Sequence, residues 1–139
     1  MPSKKTTTTS ASNGGSQIFL SNDAKEAIAE IQFSKLGRWD EAEKTMGRLG
    51  PSENLSSTLL RHFGQILAHR GDFGGLVSTL ETRAGKFEGA ARAEILNDAG
   101  LVARNQVGEA GEALRLLRAA LEAHGGDWLA LRLLRDIAE

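Results

Sequence analysis

The three histidines are the side chains best equipped for proton transfer or metal ligation near neutral pH. His62 and His69 stand seven residues apart. On a helix that spacing puts both on one side but roughly 10 Å apart along the axis, too far to chelate one ion unaided. The residues three and four beyond His62 are Gln65 and Ile66, which supply no ligand between them. Both histidines therefore read as groove-lining or surface side chains. His124 closes a helical stretch just before Gly125 and Gly126, where an imidazolium meets the negative end of the helix dipole and capping accounts for it. The carboxylate pairs Glu41 with Glu43 and Glu109 with Glu112 fall in first helical turns, which favour acidic residues for the same electrostatic reason. No Gly-x-Ser-x-Gly elbow and no phosphate-binding glycine loop after a strand is present, and the chain has no cysteine to serve as nucleophile or thiolate ligand. The expectation is a protein that is not an enzyme and needs no metal or cofactor.

Four arginines, Arg115, Arg118, Arg132 and Arg135, gather near the C-terminus at helical i, i+3 spacing. Glu112, Glu122 and Asp136 balance them, so a solvated face is the simpler reading. With 17 basic and 18 acidic residues the net charge is −1, which gives no steering field for a polyanion. Single-stranded nucleic acid also wants interleaved aromatic side chains, and only Trp128 is near. Nucleic acid is thus disfavoured as a partner.

These residues are positioned by a chain of 139 residues, enough for one domain. Residues 1–20 are rich in Ser, Thr and Gly and poor in apolar groups, and are expected to form a disordered tail. Ile18, Phe19 and Leu20 are too short an apolar run for a secretory signal, and no stretch reaches the length of a membrane span. From residue 21 to 139 the apolar spacing is helical throughout. Gly37, Gly50 with Pro51, Gly71, Gly85, the gap between Arg104 and Glu109, and Gly125 with Gly126 break it into seven helices, the third starting at Ser52 and the fifth near Phe87. No segment alternates with period two, so no strand is expected.

One pattern repeats. Gly37, Trp39 and Ala42 recur as Gly71, Phe73 and Leu76, displaced by 34 residues. A looser third unit has Gly108, Ala113, Leu117 and Ala120, with Ala110 in place of the aromatic and 37 residues between Gly71 and Gly108. Small residues early in the unit's first helix appear as Gly64 and Gly100, with Glu30 at that place in the first unit. This region resembles the tetratricopeptide repeat, whose period is about 34 residues. The resemblance implies an all-α fold of about three stacked antiparallel helix hairpins plus a C-terminal helix, wound as a right-handed α-solenoid. It also implies a concave surface lined by the first helix of each hairpin. Transferred position by position, that groove contains Ile31 and Lys35 in the first unit, Arg61, Gln65 and His69 in the second, and Asn97, Leu101 and Arg104 in the third. The lysine and arginines would donate to carboxylates, Gln65 and Asn97 would bond an extended backbone, and Ile31 and Leu101 would give apolar contact. The Lys and Asn four apart that clamp chaperone C-termini in this family are replaced by Ala27 and Ile31, which disfavours that role.

The expected function is a small cytoplasmic, bacterial adaptor or chaperone that binds a protein segment in the groove. The alternatives are an assembly subunit that self-associates through its C-terminal end and a regulator touching nucleic acid through the C-terminal arginines. Self-association is expected from the last helix, whose apolar residues exceed one stripe. Leu131 and Leu134 make one stripe and Leu129, Leu133 and Ile137 a second, which a neighbouring copy, a further repeat of a longer chain or the bound partner would cover unless it is simply core.

Overall fold

The computed structural model describes residues 21–138, so the expected N-terminal tail, residues 1–20, lies outside the described residues. Among the described residues the chain is all-α, with no strand. Its helices are α1 (Asn22–Glu30), α2 (Trp39–Gly47), α3 (Ser57–Arg70), α4 (Phe73–Ala84), α5 (Gly89–Val102), α6 (Ala110–Ala123) and α7 (Trp128–Ala138). None is long and apolar enough to cross a membrane. Each helix packs chiefly on its neighbours in sequence, α1 with α2, α3 with α4, α5 with α6, and α7 on α6.

The punctuation follows local chemistry. Gly37, Gly71 and Gly108, the three turn glycines of the sequence repeat, all adopt positive φ (65°, 83° and 80°), a conformation that costs a side-chain-bearing residue a clash between Cβ and backbone. Ser21, Ser56, Asp72 and Asp127 each accept a backbone N–H from the first turn of the helix they precede, satisfying a donor with no partner inside the helix. Two helix starts differ from the sequence reading. Ser52 opens only a short 3-10 turn, Ser52–Asn54, and α3 begins after the Ser56 cap. The fifth helix begins at Gly89 rather than Phe87, because the chain takes its positive φ at Gly89 while Gly85 stays right-handed.

The sequence pattern gave no sign of two wide π turns, Ile31–Lys35 at the end of α1 and Ala103–Val107 at the end of α5. Such turns bond from i to i+5 and rotate the residues beyond them out of α-helical register.

Two apolar clusters hold the molecule. The N-terminal one joins Ala29, Phe33, Ala42, Met46, Leu49, Leu55, Leu59, Leu60 and Ile66, with Trp39 and Phe63 against it. The C-terminal one joins Val77, Ala84, Ala93, Ile95, Leu96, Ala99, Ala103, Ala113, Leu116, Ala120 and Ala130. Gly64 and Gly100 stand where helices come closest. A Cβ on Gly64 would lie 3.1 Å from a Leu76 methyl, and one on Gly100 would lie 3.0 Å from both Cγ and Cδ2 of Leu117.

The last helix corrects the expected self-association stripe. α7 lies on the C-terminal core through Ala130, Leu133 and Ile137, so Leu133 is buried and Ile137 packs inward. Of the three, Leu129 alone stays exposed. The stripe left open on α7 is Trp128 and Leu131, which share a face with Arg132 and Arg135.

Candidate functional site

α3 carries Arg61, Gln65 and His69 at i, i+4 and i+8, which stacks them into one straight ridge. All three are exposed. The ridge is bounded by two buried residues of the same helix. His62 faces α1, where its ring stacks on Phe33 at 4.1 Å and its Nε2 donates to Glu30 Oε2 at 2.7 Å. Gly64 faces Leu76 of α4. Among the described residues no helix lies over the ridge itself.

An aromatic series runs behind it. His62 stacks on Phe33, Phe33 stacks on Trp39 at 4.8 Å with the rings 11° from parallel, and Trp39 meets His69 edge-on at 5.5 Å. Trp39 therefore occupies the wedge of the first helix pair and also borders the open end of the ridge. There the surface dips into a cleft of about 600 Å³ lined by Gly37, Arg38, Trp39, Asp40, Glu41, Ile66, His69 and Arg70. Its charges are largely matched: Arg38 lies 3.7 Å from Glu41, and Arg70 donates twice to Glu43 of α2. Arg61 has no ion-pair partner among the described residues, although its charge helps hold the neighbouring Glu30 carboxyl below the usual glutamate range. The larger causes of that depression are the hydrogen bond from the Ser34 hydroxyl and then the contact with His62.

The sequence-derived groove divides into four parts. Arg61, Gln65 and His69 stand together on the ridge. Ile31 does not join them: Glu30 reaches across to α3 and Gln32 to Thr45 of α2, so Ile31, between the two in sequence, points away from both helices. Lys35 is exposed within the π turn. In the third unit Asn97 is 2% exposed and donates Nδ2 to Asp127 at 2.9 Å. The turn into α7 thus covers the position expected to bond a ligand backbone, leaving Leu101 half-buried and Arg104 exposed in the second π turn.

Two further sequence readings are corrected. His62 is neither groove-lining nor on the surface but a buried link between α3 and α1, its Nδ1 without a hydrogen-bond partner among the described residues. The signal for it was available in principle, since Glu30 occupies the repeat position where a small residue is expected. The C-terminal arginine set is also smaller than it reads. Arg115 is engaged by Glu81 of α4 through two hydrogen bonds of 2.8 Å and by Glu112 one turn away.

No protein-family model matches the sequence, and no curated protein is similar enough to count as a match.

Proposed function

We propose that this chain is a protein-interaction module of tetratricopeptide type, its helix pairs stacked as antiparallel hairpins in a right-handed α-solenoid, and that it binds an extended protein segment along α3. The observation that carries this reading is the uncovered ridge of Arg61, Gln65 and His69 ending at the Trp39 cleft. An extended segment needs backbone partners, a charge to fix its direction and an apolar pocket. Gln65 offers a donor and an acceptor, Arg61 offers a guanidinium with no ion-pair partner among the described residues, and the Trp39 and Ile66 side chains line the recess. An adaptor or chaperone role is the reading that such a surface favours.

Selection of random displayed peptides on the immobilised protein tests this. Acidic peptides are expected to be enriched, to bind more weakly as salt rises, and to lose at least tenfold in affinity to an Arg61→Glu, His69→Ala variant that melts like wild type. Peptides that bind this variant and wild type equally would remove the ridge from the site, and a selection that enriches nothing would remove the function.

A further inference from the structure

We infer that the segment bound along α3 is bipolar: an acidic residue meets Arg61, and a lysine or arginine four positions away enters the Trp39 cleft and meets Asp40. The inference rests on the reading of the ridge as a peptide site and adds the chemistry of the second anchor and the spacing between the two. Arg61 stands at one end of the ridge with no ion-pair partner among the described residues. Glu30, a carboxyl that feels its charge, is already bonded to the Ser34 hydroxyl and to His62. The guanidinium therefore selects a carboxylate from the ligand.

The cleft at the other end asks for the opposite charge. Arg38 is paired with Glu41 and Arg70 with Glu43 of α2, whereas Asp40, exposed and also in the lining, has no ion-pair partner among the described residues. Arg70 feels the charge of Asp40 only at a distance, because its hydrogen bonds go to Glu43. A purely apolar side chain seated here would take water from the Asp40 carboxylate and return no partner, and an acidic one would be repelled. A lysine or arginine meets both demands. Its methylene stem packs on the indole of Trp39, which is stacked on Phe33 and half-buried, while its charged head reaches the carboxylate at the rim.

Helix geometry sets the spacing. Arg61 and His69 are eight residues apart on α3, roughly 12 Å along its axis, and His69 borders the cleft against Trp39. An extended segment advances about 3.3 Å per residue and turns alternate side chains to opposite faces. Four residues cover the distance, and an even count keeps both side chains on the ridge. A separation of three or five would turn one of the two anchors away. The residue midway between the anchors lies over Gln65, whose carboxamide can both donate to and accept from the backbone there.

Fluorescence anisotropy with short labelled peptides tests this. Each peptide has blocked ends and one glutamate and one lysine among serines and threonines, the two offset by two to six positions in either order. In the better order an offset of four should bind the full chain about fivefold more tightly than three or five. Replacing that lysine by norleucine should lose a similar factor in wild type and nothing in Asp40→Asn. Charge reversal separates contact from folding: an Asp40→Lys variant that melts like wild type should prefer the peptide with glutamate at both positions. If Asp40→Lys melts early, the norleucine comparison in Asp40→Asn decides. Peptides that bind with no preferred offset, or that bind wild type and Asp40→Asn alike, overturn the inference and leave the ridge as a site for acidic peptides. So do peptides selected by display that need Arg61 yet carry no basic residue at a fixed offset from the acidic one. If no peptide of either kind binds, the ridge reading falls and the inference with it.

Discussion

The two apolar cores are built on different plans. In the C-terminal core seven of the eleven buried members are alanines, and α5 and α6 approach so closely that Gly100 sits against Leu117. In the N-terminal core two of nine are alanines, and the space between α1, α2 and α3 is filled by the rings of Trp39, Phe33 and His62. Small residues let helices meet along their backbones. Rings hold them apart, and a polar group such as Glu30 then finds room beside His62. The open cleft lies next to the ring-filled core. Close packing leaves little for a ligand to enter, whereas an aromatic wedge presents an edge, here Trp39 and His69, at the surface.

The largest expected effect separates the two cores directly. Phe33→Ala removes the middle ring of the series and Leu116→Ala a fully buried side chain of the other core, and each should cost about 3 kcal/mol in urea denaturation. In a Trp128→Phe background, Trp39 is the only fluorophore of its kind. Its emission should shift to the red in water for Phe33→Ala and stay unchanged for folded Leu116→Ala. An equal shift in both would mean that the cores behave as one.

This division explains what could be read from the residues alone. The helices, their order and their turns were legible because Gly37, Gly71 and Gly108 mark positive-φ turns and the apolar spacing has helical period. The ridge of Arg61, Gln65 and His69 was legible because α3 is a regular α-helix, where i, i+4 counting holds. Counting failed at α1 and α5, whose ends widen into π turns that no residue type announces. Asn97 was misplaced for a different reason: its partner Asp127 lies 30 residues away, and no local pattern reports which turn folds over which helix. His62 hid because a histidine one position from an exposed arginine looks like a surface residue until its place on the helix relative to α1 is known.

The next effect tests close packing itself. Alanine gains about 1 kcal/mol over glycine inside a helix, so the sign at each glycine depends on what the new methyl meets. At Gly64 it meets one methyl of half-buried Leu76, which can turn aside, and Gly64→Ala should be neutral or mildly stabilising. At Gly100 it meets two atoms of Leu117, 1% exposed and held on all sides, so Gly100→Ala should lose about 1 kcal/mol net. Thermal melts of the two variants check this, and a stabilised Gly100→Ala would show that the C-terminal core has slack.

The smallest effect distinguishes the two depressed carboxyls. Glu30 is lowered first by the Ser34 hydroxyl and then by His62, and Glu81 first by hydrogen bonds from Arg115 and then by its charge. A carboxyl whose folded pKa lies below its unfolded value, about 4.3 for glutamate, contributes stability that is present in full above that value and lost as pH falls through the folded pKa. Both therefore make the protein less stable in acid, below about pH 4.5. Because both side chains are about two-fifths exposed, solvent screening reduces each contribution to a few tenths of a kcal/mol. Salt separates them. The leading contact of Glu30 is with a neutral hydroxyl and should persist in high salt, whereas the Glu81 contact is an ion pair that salt weakens. Melting temperature followed from pH 5 to pH 3 should fall less steeply in Glu30→Gln than in wild type, at low and high salt alike. In Glu81→Gln the same flattening should appear at low salt and vanish at high salt. A Glu30→Gln curve parallel to wild type would mean that the link between α1 and α3 rests on the ring stack of Phe33 and His62 alone.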